Sequence, residues 1–156
     1  MKVGFYAGSF EPFTIGHLEV LRKACLLFDK VIVGIGKNPD KQRRFNNEKM
    51  KDAIEKVLKR ENLKNASVVI YEGLTVDTAK ENDASFLIRG IRSVADYYYE
   101  EPLAKINEKL SGLDTIYLRA GELGKVSSSI VYKLHKKKKD VSVLVPEEVL
   151  EVMNEK

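Results

Sequence analysis

A single cysteine, Cys25, among 156 residues excludes an intrachain disulfide. It falls in the apolar spacing Leu18, Leu21, Cys25, Leu26, Phe28, which predicts a packed thiol without a catalytic part. No apolar run is long enough to cross a bilayer, and a strand pattern begins at once in Met1-Lys2-Val3-Gly4-Phe5. That leaves no space for a secretory leader, so the expectation is a cytoplasmic protein with no membrane partner. Histidine and cysteine form no cluster with metal-ligand spacing, and no nucleophile pairs with a base in the Ser/His/Asp or Cys/His manner. No glycine-rich segment ends in Gly-Lys-Ser/Thr, which removes P-loop kinases and ATPases. Gly34-Ile35-Gly36 runs into Lys37-Asn38-Pro39-Asp40 with neither a third glycine nor a helix start, which argues against a nicotinamide or flavin fingerprint. Repeats, low-complexity linkers and composition breaks are also missing, so residues 1–156 read as one domain.

The chain is 44% hydrophobic and 32% charged, with a net charge of +4, enough for one full core. The positive excess gathers in Lys37 to Arg44 and in Lys136-Lys137-Lys138-Lys139. The second run closes a predicted helix, where cations complement the dipole, and no basic face with interleaved aromatics extends from it. Small phosphorylated ligands are therefore expected, and nucleic acid is not.

Short apolar runs at Lys2 to Tyr6, Lys30 to Gly36, Ser67 to Tyr71, Ser85 to Ile88 and Thr115 to Leu118 read as strands. Helical spacing occupies Leu18 to Phe28, Asn46 to Arg60, Val76 to Glu81, Val94 to Leu110 and Ser128 to Lys137, with Pro146 opening a last short helix. Near-continuous apolar strands alternating with helices predict α/β architecture: a doubly wound, parallel five-stranded sheet with helices on both faces. Such sheets bind ligands beyond the carboxyl ends of their strands.

Three chemically unusual segments follow predicted strands: Gly8 to His17, Arg89 to Arg92 and Ala120 to Ser129. In the first, Thr14-Ile15-Gly16-His17 leads from a turn into a helix, whose unpaired N–H groups favour an anion. Gly16 permits close approach of phosphate, and His17 can donate to it whether or not protonated. In the second, Arg89 and Arg92 flank Gly90 and Ile91, so two guanidinium groups could reach phosphates from one place. The third supplies helix-starting hydroxyls at Ser127-Ser128-Ser129. Tyr97-Tyr98-Tyr99 points in three directions on a helix, which suits core or subunit contacts better than base stacking.

Gly8-Ser9-Phe10-Glu11-Pro12 with Thr14-Ile15-Gly16-His17 resembles the HxGH/TxGH nucleotidyltransferase superfamily. Leu87-Ile88-Arg89-Gly90-Ile91-Arg92, continuing as Ser93-Val94-Ala95-Asp96-Tyr97-Tyr98-Tyr99-Glu100, and Val126-Ser127-Ser128-Ser129 resemble the phosphopantetheine adenylyltransferase family within it. The likeness runs nearly end to end, with Ser9 and Glu11 standing for threonine and aspartate and Leu123-Gly124-Lys125 for residues that are usually aromatic. It implies a Rossmann-like nucleotidyltransferase fold and transfer of the adenylyl group of ATP to 4′-phosphopantetheine. It further implies His17, Lys41 and Ser9 as catalytic, with His17 stabilising the transition state. ATP would be held by Ser9, Phe10, His17, Gly90, Ile91, Arg92, Glu100, Leu123, Gly124, Lys125, Val126, Ser127, Ser128 and Ser129. Ser9, Lys41, Leu74, Thr75 and Arg89 would hold the pantetheine substrate. By the same likeness the nucleotide carries Mg2+, the chain forms a homohexamer, and coenzyme A inhibits by feedback. The competing readings are a sibling transferase using nicotinamide mononucleotide or CTP, and a catalytically silent nucleotide- or RNA-binding module.

Overall fold

A computed structural model describes residues 1–155. Five strands form one parallel sheet: β1 (Val3–Gly8), β2 (Lys30–Gly36), β3 (Ala66–Tyr71), β4 (Phe86–Ile91) and β5 (Asp114–Arg119), in the spatial order β3-β2-β1-β4-β5. The chain leaves β1 toward β2 and later returns to its other side with β4, so the order reverses at β1. Ligand crevices in such sheets open at this reversal, beyond the strand ends.

Alternation along the strands divides the core between the two faces. Tyr6, Val31, Val33 and Ile35 pack with Leu18, Leu21 and Ala24 of α1 (Ile15–Leu27) and with Ile54 and Val57 of α2 (Asn47–Arg60). Val3, Phe5, Ala7 and Ile32 face the other way, toward Val76 and Ala79 of α3 (Thr75–Glu81). The longest helix, α4 (Val94–Ser111), contacts α3, while α5 (Ser128–Lys136) and α6 (Glu147–Asn154) contribute Val131, Val149 and Met153 to the first face.

The stripe Met50, Ala53, Ile54, Val57, Leu58 recurs at three and four residues, which is why α2 is helical and which side it buries. Each large member gains about 1.5–3 kcal/mol from burial. Asn46 caps this helix by accepting from the Lys49 amide at 3.0 Å. Gly34 makes no dinucleotide turn. It lies inside β2, where an added Cβ would stand 2.3 Å from the Phe5 ring.

Three boundaries differ from the sequence reading in ways that matter to the site. Strand β4 continues through Ile91, because Arg89, Gly90 and Ile91 pair with Tyr117, Leu118 and Arg119. Arg89 is thus fixed on a strand instead of hanging in a loop. Helix α1 starts three residues early, at Ile15, because Thr14 caps it. Pro146 is the N-cap residue of α6 and precedes its first turn. Cys25 is only partly buried against the core, with its thiol pushed up to about 11 by desolvation, so it is poorly nucleophilic.

Candidate active site

The turn after β1 is built around Phe10, which adopts a left-handed φ of 49°. A non-glycine residue there costs on the order of 1 kcal/mol and persists only when its surroundings hold it. They do: Phe10 is 2% exposed and packs edge-on against Tyr6 and His17, with Phe13 beside it. The Glu11-Pro12 peptide is cis. This compact turn brings Thr14 to the start of α1.

Thr14 and His17 cap the helix reciprocally. The Thr14 hydroxyl accepts from the His17 amide at 3.3 Å, and the Thr14 amide donates to His17 Nδ1 at 2.9 Å. An Nδ1 that accepts carries no proton, so the neutral ring bears its hydrogen on Nε2. Burial, followed by the positive charges of Arg89 and Arg92, pushes the His17 pKa down to about 3. The ring stacks on Phe13 and lines a cavity of about 330 Å³. His17 therefore offers that cavity a fixed, uncharged N–H donor.

A pH dependence follows. The folded-state pKa of His17 lies below the ordinary 6.5, so the unfolded chain takes up the proton first as pH falls. Its contribution to stability is complete above about pH 6.5 and declines toward pH 3. Between pH 7 and 5 the wild-type melting temperature should fall more steeply than that of His17→Asn. Parallel curves would show a histidine of ordinary pKa.

The cavity lies against the carboxyl ends of β1 and β4 and the N-termini of α1 and α5. Ser9, Phe10, His17, Arg89, Gly90, Ile91, Arg92, Glu100, Leu123, Val126, Ser127, Ser128 and Ser129 all line it. Gly124 and Lys125 do not. They belong to a short 3₁₀ turn (Gly121–Lys125) that packs on α1, where a Cβ at Gly16 would lie 3.1 Å from the Leu123 carbonyl oxygen. Gly16 thus makes room for the chain's own turn.

The side chains on this wall are firmly held. Arg89 forms a fork with Glu100, Nε to Oε2 at 3.0 Å and Nη2 to Oε1 at 2.6 Å, and donates through Nη1 to the Ala7 carbonyl at 2.6 Å. Arg89 and Glu100, given separate substrates by the sequence likeness, are one unit here. Arg92 is held by Asp96, Nε to Oδ2 at 2.9 Å. Ser127 caps the Ile130 amide, and Ser128 donates to the Pro12 carbonyl at 2.7 Å. The cap uses only the Ser127 oxygen as acceptor, so the O–H groups of Ser127 and Ser129 join the first amides of α5 as anion donors, and Ser128 alone is spent.

Lys41, Leu74 and Thr75 do not line this cavity. Lys41 is exposed on the loop between β2 and α2, Leu74 is the exposed N-cap residue of α3, and the Thr75 hydroxyl bonds to that of Tyr71 at 2.8 Å. Tyr6, Val20 and Asp96 line it without having been singled out, and so does Tyr99, which the sequence reading gave to core or subunit contacts. Ser93-x-x-Asp96 is a capping signature that could have flagged Asp96. Tyr6 was legible only as the inward side of β1. Of the tyrosine run, Tyr98 and Tyr99 are 70% and 71% exposed, so neither belongs to the core of the protomer.

The sequence profile of the cytidylyltransferase-like family matches residues 5–143. The phosphopantetheine adenylyltransferase of Phocaeicola vulgatus is 42% identical over 148 residues, covering 94% of this chain and 97% of that protein. Its namesake from Bacteroides fragilis is 43% identical over 147 residues, at 94% and 97% coverage, and that of Lachnoclostridium phytofermentans is 39% identical, at 100% and 96%. The chain belongs to the phosphopantetheine adenylyltransferase family. A solved structure from Vibrio parahaemolyticus, provisionally assigned as a nicotinate-nucleotide adenylyltransferase, superimposes with a TM-score of 0.72 at 15% identity, covering 99% of this chain and 100% of that one. At that identity the likeness concerns the fold alone. The chain has the doubly wound nucleotidyltransferase architecture, and as a phosphopantetheine adenylyltransferase family member it departs from dinucleotide-binding and P-loop chemistry.

Proposed function

We propose that this chain transfers the adenylyl group of ATP to 4′-phosphopantetheine, releasing pyrophosphate and forming dephospho-coenzyme A. The observation that carries the reading is the neutral His17 donor, fixed at a helix N-terminus between Arg92 and the start of α5. In a chain about 40% identical over its length to phosphopantetheine adenylyltransferases, that donor set suits a transferring phosphoryl group.

An oxygen of the pantetheine phosphate attacks the α-phosphorus of ATP in line, the bond to the bridging oxygen breaks, and pyrophosphate leaves. His17 Nε2–H donates to the α-phosphate oxygens as charge builds. Arg92 and the α5 amides hold the β- and γ-phosphates, and Ser9 orients the attacking phosphate. Lys41, exposed on the loop between β2 and α2, is assigned to that phosphate from outside the cavity. Arg89, on its fork with Glu100, faces the acceptor. Positioning and electrostatics supply the rate, with no covalent intermediate.

Among the described residues no three His, Cys, Asp or Glu side chains converge as a metal site. The acids nearest the phosphates, Asp96 and Glu100, are taken up by Arg92 and Arg89. Such a wall fits Mg2+ carried by the triphosphate and water, where it offsets phosphate charge. Pyrophosphate release tests the reading: ATP with phosphopantetheine should release it, and ATP with nicotinamide mononucleotide should not. Release with neither would favour a silent binding module.

The assembly is proposed as a homohexamer whose contacts use α4. Val94, Tyr98, Leu103, Ile106 and Leu110 are 46–70% exposed along that helix, an apolar surface too long for a monomer to leave wet. Ile106→Glu should shift the mass measured by light scattering toward smaller species, and an unchanged mass would place the contacts elsewhere. Coenzyme A, which shares the product's adenylyl-pantetheine body, is proposed to inhibit by occupying the same cavity.

A further inference from the structure

Glu11 occupies a place that the proposed chemistry leaves unused. Its side chain is 16% exposed at the tip of the turn that carries Ser9. Oε1 accepts from the Arg44 amide at 2.7 Å and lies 3.2 Å from Arg43 Nε. The Arg44 guanidinium donates back to the Glu11 carbonyl at 3.1 Å, and Arg43 Nη1 donates to the Ser9 carbonyl at 2.7 Å. Four contacts thus join two loops more than 30 residues apart in sequence.

Arg43 makes the arrangement costly without a facing carboxylate. Its Nε and Nη2 are buried without hydrogen-bond partners, and its side chain is only 14% exposed. A buried guanidinium in that condition needs a neighbouring negative charge, and Glu11 is its ion-pair partner. The second loop carries Lys41 two residues before Arg43. Its first half is anchored through Lys37, whose amide donates to the Tyr71 carbonyl at 2.8 Å and whose Nζ lies 3.3 Å from Glu72 Oε1, and is folded on itself through Lys41 N to the Asn38 carbonyl and Asp40 N to Asn38 Oδ1. Beyond Lys41, the Glu11 and Ser9 contacts join the loop to the turn after β1, while Phe45 and Arg44 rest on the Tyr132 ring of α5.

We propose that Glu11 is a positioning residue for Lys41: through Arg43 and Arg44 it locks the residue 37–45 loop onto the Ser9 turn. The inference rests on the proposed adenylyl transfer, since it concerns where the Lys41 ammonium stands when the pantetheine phosphate is bound. Misplacing a group by about 1 Å can cost up to about 100-fold in rate without touching the chemistry.

The test is a double-mutant cycle on turnover of ATP and phosphopantetheine. Glu11→Gln keeps an acceptor for the Arg44 amide but removes the charge. It should lower kcat about tenfold or more, with KM for ATP changed less than about twofold. In a Lys41→Met background the same change should cost less than about twofold, because the group being positioned is gone. Equal losses in both backgrounds overturn the proposal. Trypsin should cut after Arg43 and Arg44 faster in Glu11→Gln than in wild type, a readout independent of activity, and unchanged cutting also overturns it. Should Glu11→Gln not accumulate folded, Arg43→Gln reads the same coupling from the other side. A wild-type chain without turnover would instead fail the functional reading, while the proteolysis arm still reports on the clamp.

Discussion

His17→Ala lowers turnover by about 100- to 1000-fold, the cost of removing one preorganised donor to a developing oxyanion, while the affinity for ATP changes less than about tenfold. The separation of the two effects is the informative part. In the proposed ground state Arg92 and the first amides of α5 hold the nucleotide phosphates, so losing one neutral N–H should weaken binding little. The α-phosphate gains charge only as the new bond forms, and the proposed mechanism gives the donor there to His17, whose ring Thr14 fixes. Because the ring is already neutral, with a pKa pushed down to about 3, the wild-type rate should show no inflection from His17 near pH 6.5. His17→Asn can present a donor without the ring's reach, and should recover part of the loss. Equal falls in turnover and ATP affinity would show that His17 acts as a ground-state ligand. The alanine variant also leaves the Thr14 amide without its acceptor at the head of α1, so its melting temperature must be measured beside the rate. A loss of about 1 kcal/mol is the ordinary cost of a cap and would not by itself explain the kinetics.

The sheet was legible because buried parallel strands are apolar almost throughout, as β1 and β2 are, and the edge strand β3 keeps an apolar sequence though it is only partly buried. The end of β4 was not, because Arg89-Gly90 reads as a loop until β5 is known to lie beside it. Pairing with Tyr117 and Leu118 is tertiary information that no local pattern contains. The same distinction holds in the site. The Thr14-x-x-His17 spacing pointed to a helix start and a phosphate, both local properties. That His17 is neutral depends on Arg89, 72 residues away along the chain, and on Phe10 and Phe13 enclosing the ring. The serines show the converse limit: three hydroxyls suggested three ligands, and only the folded chain shows Ser128 reaching Pro12. The sequence can mark Glu11 by its motif and Asp96 by its capping spacing, but not the arginines they hold, since those partners are placed only by the fold.

Arg89→Met should be the most destabilising single change at the site, and the asymmetry of its ion pair says why. The Glu100 side chain is 11% exposed, whereas that of Arg89 is 36% exposed. Removing the arginine leaves a buried carboxylate without a cation, and orphaning a buried charge costs about 3 kcal/mol. For a domain of this size that lowers the melting temperature by roughly 6–12 °C. Removing the acid is milder, because the guanidinium left behind keeps the Ala7 carbonyl and reaches the water of the cavity. Glu100→Gln should therefore cost less than half as much. In Arg89→Met/Glu100→Gln neither charge is orphaned, so stability should return to within about 1 kcal/mol of Glu100→Gln alone. On the proposed role of Arg89 toward the acceptor, turnover should not return with it. Recovery of both would reduce the pair to a structural brace, and recovery of neither would show that Arg89 stabilises the end of β4 through its packing instead of its charge.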